Sequence, residues 1–189
     1  ATITLTPKKV WSYEGTTYDG SKPLPEWLQA YMPTSITFTL QASKDGTNWY
    51  DTSATDTSNF GTDFTSINGF SATKVVTVLN TTGAITVGNS WSGLPRYVSD
   101  TDVGNPVKYQ YRVTEALNPE TSVYSLTSSV VDASTADAAT ATVTATSTVG
   151  TVSFTENVVS PGSYTISKVA GDGQTANIGT TLTGPALKV

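Results

Sequence analysis

The chain has 189 residues, 13% of them charged and 37% hydrophobic, with a formal net charge of -5 and neither Cys nor His. The missing thiols and imidazoles exclude disulfides, cysteine or histidine catalysis and the usual zinc sites, and the acidic balance leaves no basic field to gather nucleic acid or anionic lipid. With charge at about half its usual share, Thr and Ser must supply the polar surface, a habit of extracellular β-proteins, and the length suits one β-domain or one domain plus a fragment.

The first element is a strand around "LTPKKVW" at 5–11. Its alternation places Ile3, Leu5, Pro7, Lys9 and Trp11 on one face and Thr2, Thr4, Thr6, Lys8 and Val10 on the other. The apolar face therefore carries Lys9, while Lys8 faces solvent. A helical pattern occurs only at "LPEWLQAYM", 24–32, with Pro25 at the helix start, Trp27, Leu28 and Tyr31 on one side, and at most two turns. Trp27 and Tyr31, like Trp49 and Tyr50, either pack locally or form a patch for a sugar or a protein.

"SITFTLQAS" at 35–43 reads as a strand, and "KDGT" at 44–47 as an Asp-Gly hairpin turn. The stretch 43–89 is rich in Thr, Ser, Asp, Asn and Gly and reads as a hairpin and a long surface loop. It contains strand signals in "KVVTVLN" and "AITVG" and a turn in "NTTGA". "SDTDVGNP" at 99–106 faintly resembles a calcium loop but lacks the closing bidentate Glu, so it reads as a solvated turn with no metal.

In "VKYQYRVTE", 107–115, the residues Tyr109, Tyr111, Val113 and Glu115 share a face, which aims Glu115 into the core that holds Lys9. "VYSLTSSVV" follows as a strand. The Ala, Thr, Ser and Val stretch at 132–149 reads as an edge strand whose thin apolar face is Ala141, Val143 and Ala145. "TVSFTENVV" sets Val152, Phe154, Glu156 and Val158 on one face and Ser153, Thr155 and Asn157 on the other. Seven or more such strands argue for an all-β sandwich over 1–160. Residues 161–189 read as a linker and strand, either added to this domain or opening a following module with Lys168 in the place of Lys9.

Taken in order, "KKVW", "DGSKP", "PTSITFTL", "WSGLPRY", "VKYQYRVTEA" and "VSFTENVV" resemble the B-type repeat domain of Gram-positive collagen-binding adhesins and pilins, the CnaB-type domain. The resemblance covers residues 5–160. It implies an inverse immunoglobulin-like β-sandwich with long loop insertions, serving as a stalk module of a wall-anchored adhesin or pilus. It further implies that Lys9 is joined by an isopeptide bond to Asn157, with Glu115 as the assisting acid.

The chemistry suits those residue types. Burial lowers an ammonium pKa and raises a carboxyl pKa, so a buried pair can rest as neutral amine and neutral acid. The amine of Lys9 would attack the Asn157 carboxamide, polarised by Glu115, and ammonia would leave. Folding itself positions the groups, so no cofactor is needed and the reaction runs once per molecule, without turnover. A β-bulge at Thr155 or Glu156 would bring Asn157 into phase with the core.

The implied location is the bacterial cell surface, with neighbouring modules of the same protein as partners. A host matrix protein or a glycan, met through Trp27 and Tyr31, is the alternative. No leader and no run of about 18 apolar residues is visible, so the segment reads as a mature or excised soluble piece without membrane insertion.

Overall fold

In a computed structural model of the chain, β1 spans Thr2–Tyr13, and Ile3, Leu5, Pro7, Lys9 and Trp11 are its buried residues, the alternation expected of it. The structure describes residues 2–99, 104–121, 123–134, 140–158 and 162–169. After β1 come β2 (Thr16–Tyr18), α1 (Glu26–Gln29), β3 (Ser35–Ser43), β4 (Tyr50–Asp51), α2 (Thr57–Phe60), β5 (Thr73–Thr77) and β6 (Trp91–Pro95). The remaining strands are β7 (Gln110–Asn118), β8 (Tyr124–Ser128), β9 (Val131–Asp132), β10 (Thr140–Val149), β11 (Thr151–Val158) and β12 (Gly162–Val169), the last two described through their backbone pairing.

The first sheet runs β2-β1-β10-β8, with β6 also on β1, and the second runs β4-β3-β7-β9, with β5 also on β3. Period-2 patterning explains why they face each other as a sandwich. The first sheet contributes Leu5, Trp11, Trp91, Leu94, Val143 and Ala145 to a common core, and the second contributes Phe38, Leu40, Tyr109, Tyr111 and Val113. The outer faces alternate in Thr and Ser, which keeps both sheets wetted in a chain with little charge.

β1 and β10 are parallel neighbours, in register from Thr4–Thr140 to Ser12–Thr148. The Ala and Thr stretch is therefore a central strand, flanked by β1 and β8, and not the edge its composition suggests. Its small inward residues are what a central position beside Trp11 and Lys9 can accommodate, since large side chains there would overfill the core.

The stretch 43–89 also departs from a surface loop. It is partly folded into the core: Phe60 and Phe64 are buried and stack edge-on, with ring centroids 5.0 Å apart. The Asp56 side chain caps α2 by accepting the Asn59 N–H at 3.0 Å. Within "AITVG" only Ile85 pairs, as an isolated bridge to Val78. A turn forms at "KDGT", but not the tight Asp-Gly hairpin turn expected: it lies within a longer 43–49 connection between the paired residues of β3 and β4. Gly46 is at φ +77, Asp45 is outside the left-handed region, and Asp45 accepts the N–H groups of Thr47 and Asn48. α1 is a single turn after Pro25.

Candidate functional site

Three inward-facing side chains from three strands meet between the sheets. Lys9 lies on β1, Glu115 on β7 opposite Phe38 of β3, and Ser147 on β10 opposite Trp11. Because β1 and β10 are parallel and in phase, Lys9 and Ser147 both point inward, two residues apart along the ladder. Glu115 approaches from the second sheet.

The contacts close a triangle. Lys9 Nζ donates to Glu115 Oε1 and Oε2, each at 2.7 Å, and to Ser147 Oγ, while Ser147 Oγ donates to Glu115 Oε1 at 2.7 Å. The Trp11 ring centroid lies 4.5 Å from Nζ, a cation–π contact. The Lys9 side chain is 0% exposed and that of Glu115 is 4% exposed. Removal from water pushes the Lys9 ammonium down to about 8, with the charge of Glu115 and its hydrogen bond pulling the other way. The contacts are those of a buried Lys–Glu pair bridged by a hydroxyl.

The sequence thus places Lys9 and Glu115 together, as their strand phases require. The third group differs from the expectation. β11, which carries Asn157, pairs with β12 from Thr151–Val169 to Val158–Gly162 without a register shift, so this ladder has no bulge at Thr155 or Glu156. The side chain of Asn157 lies outside what the structure describes. The parallel neighbour of β1 is β10, and the residue it delivers to the amine is Ser147. A hydroxyl offers no acyl carbon, so Lys9 and Ser147 cannot condense to an amide. Composition alone points to an edge for this strand and hides Ser147; the signal for it is the alternation Ala141, Val143, Ala145, which continues to Ser147.

The other expected binding residues form a separate cluster. Trp27 of α1 makes edge contacts with Tyr13 at 5.1 Å and Tyr31 at 6.4 Å between centroids, and Tyr31 is 51% exposed. Tyr13 was not foreseen there. Trp49 instead receives the Arg112 guanidinium 4.3 Å from its ring centroid. Asp100 and Asp102, of the faint calcium-loop pattern, lie outside the described residues.

A second buried polar contact pins the 43–89 stretch to the sandwich. Asp63 accepts the Tyr109 hydroxyl at 2.6 Å and the Ser99 N–H at 3.2 Å. Burial and the neighbouring carboxylate push the Tyr109 phenol well up. This arrangement fixes a loop and presents no reacting group to solvent. No helix of the described residues is long and apolar enough to cross a membrane. No protein-family model matches the chain, and comparison with curated proteins finds no match.

Proposed function

We propose that the chain is a load-bearing structural module of a Gram-positive cell-surface protein, an adhesin stalk or pilus component, whose sheets are tied through Lys9, Glu115 and Ser147. The observation that carries this reading is the parallel β1–β10 ladder with Lys9 in its middle part. Tension along the chain enters β1 at its first residue and leaves β10 at its last. In parallel neighbours those points lie at opposite ends of the ladder, so the inter-strand hydrogen bonds are loaded together in shear. The ion pair of Lys9 with Glu115 and the Ser147 hydrogen bond then resist sliding of β1 past β10 and past β7.

In this reading the tie is ionic. Intact mass after denaturation equals the sequence mass if so; a mass short by one ammonia would instead demonstrate the amide to Asn157 that the resemblance implies. Single-molecule pulling through the two termini tests the load-bearing role. The expected trace is one high-force unfolding event whose force drops in Lys9→Met. Gradual, low-force extension of the wild type would overturn it.

A second reading, a host-protein or glycan binding module at the bacterial surface, draws on the Tyr13, Trp27 and Tyr31 cluster, in which Tyr31 is exposed and Tyr13 and Trp27 are half-buried. Aromatic rings offer apolar faces to sugars and hot spots to proteins. Glycan-array or matrix-protein binding lost on replacing Trp27 and Tyr31 by Ala supports it, and an array with no signal removes it.

A further inference from the structure

Among the described residues the first sheet ends at β8, and this edge is unusual in its sequence. Native edge strands are protected by charge, proline, bulges or covering loops. β8 reads "YSLTS", and no charged residue or proline occurs between Glu120 and Asp132. Its pairing with β10 runs without a register shift from Ala145–Ser128 to Val149–Tyr124.

The ladder geometry says which backbone groups face outward. Gly150 N–H donates to Val123 O and Ser129 N–H to Thr144 O, so residues 123, 125, 127 and 129 bond to β10. The backbone groups of Tyr124, Leu126 and Ser128 therefore point away from the sheet. Beside them lies an open cleft of about 350 Å³ between the edges of the two sheets, lined by Val113, Leu126 and Val130 among others. Leu126 is 36% and Val130 53% exposed, large values for apolar residues at a sandwich edge. The lining includes one cation, Arg112, which is engaged by Gln41 at 2.8 Å and by the Trp49 ring.

We propose that β8 is the edge through which two copies of this chain pair, antiparallel about a two-fold axis at Leu126, joining their first sheets into one. A second copy fits because the outward groups are self-complementary. With Leu126 opposite Leu126 of the second copy, Tyr124 falls opposite Ser128 and Ser128 opposite Tyr124, all hydrogen-bonded pairs. The edge carries no charge, so identical copies meet there without repulsion although each chain bears -5 overall. Directly opposed residues of such a pair share a face, so the two Leu126 side chains meet over the mouths of both clefts and remove apolar surface from water.

The chain's lack of cysteine gives a direct test. Leu126→Cys places two thiols across the axis with Cα atoms about 5.5 Å apart, within disulfide reach. Mild oxidation of the full chain is expected to give a covalent dimer, whereas Val87→Cys, 95% exposed and elsewhere on the surface, stays monomeric under the same conditions. Leu126→Pro removes only an outward N–H and leaves the bonds to β10, so it should keep the wild-type circular dichroism yet sediment as a monomer where the wild type sediments as a dimer. A wild type that stays monomeric up to millimolar concentration, a folded Leu126→Pro that still dimerises, or equal cross-linking of the two cysteine variants would overturn the proposal.

Discussion

Replacing Glu115 by Gln changes one charge and almost no volume, so it isolates the electrostatic part of the Lys9 site. Lys9 Nζ would keep Ser147 Oγ and the new amide oxygen as acceptors, but its ammonium would lose its counter-charge at a side-chain exposure of 0%. Breaking a buried pair from one side costs about 3–5 kcal/mol, against about 0–1 kcal/mol for a solvated pair. In a domain of this size each kcal/mol moves Tm by about 2–4 °C, so the expected fall is about 6–20 °C. Urea unfolding of the wild type, Lys9→Met, Glu115→Gln and the double variant measures the coupling. Each single change should be costly and the double change less so than their sum, because no uncompensated charge remains. Single costs under about 1 kcal/mol that simply add would refute a desolvated pair at this site.

Four further predictions follow from the same contacts, from the buried tyrosines and from the loop that lies on Trp11. Lys9 holds its proton less tightly folded, at about 8, than unfolded, at 10.5; between those values only the unfolded chain keeps it, so stability measured by denaturation should rise with pH across that window, by at most about 3 kcal/mol, and the rise should vanish in Lys9→Met. Above about pH 10 the trend reverses, since Tyr109, Tyr111 and Tyr124, pushed up by burial, ionise first in the unfolded chain. In Ser147→Asn the carboxamide carbon takes the place of Oγ, in contact with the Lys9 amine and beside Glu115, and intact mass should fall by one ammonia, while Ser147→Ala keeps its full mass and loses about 1–3 kcal/mol of stability. Gly83 has φ +72 and a Cβ there would stand 2.3 Å from Trp11 Nε1, which donates to Gly83 O; Gly83→Ala should cost more than about 2 kcal/mol and shift tryptophan emission to the red.

Much of the site was legible as strand phase. A residue's face follows from its place in a two-residue repeat, so Ile3, Leu5 and Trp11 fix the direction of Lys9, and Tyr109, Tyr111 and Val113 fix that of Glu115. Phase does not say how deep a strand lies in its sheet. Ala141, Val143 and Ala145 form a thin apolar face, which read as an edge, yet β10 has neighbours on both sides and its small residues make room for larger ones facing them. The buried Phe60 and Phe64 stand hidden for a related reason: they lie in a polar stretch without periodicity, and they pack on Tyr109, distant in sequence and just before β7.

The amino-acid sequence by itself determined that this is a β-protein without thiol or imidazole chemistry, and that a lysine and a glutamate face one interior. Those are local properties, set by composition and by the alternation of side chains across a pleated strand. Only the tertiary structure decided what completes the lysine's surroundings. Thr- and Val-rich strands have nearly interchangeable edges, and the choice among them rests on non-local hydrogen bonding and on which inward volumes fit together. β1 takes β10 as its parallel neighbour, and with it comes Ser147. A hydroxyl in that position accepts a hydrogen bond from the ammonium and donates one to the carboxylate, which makes the meeting point of the three strands an ion pair shielded from water.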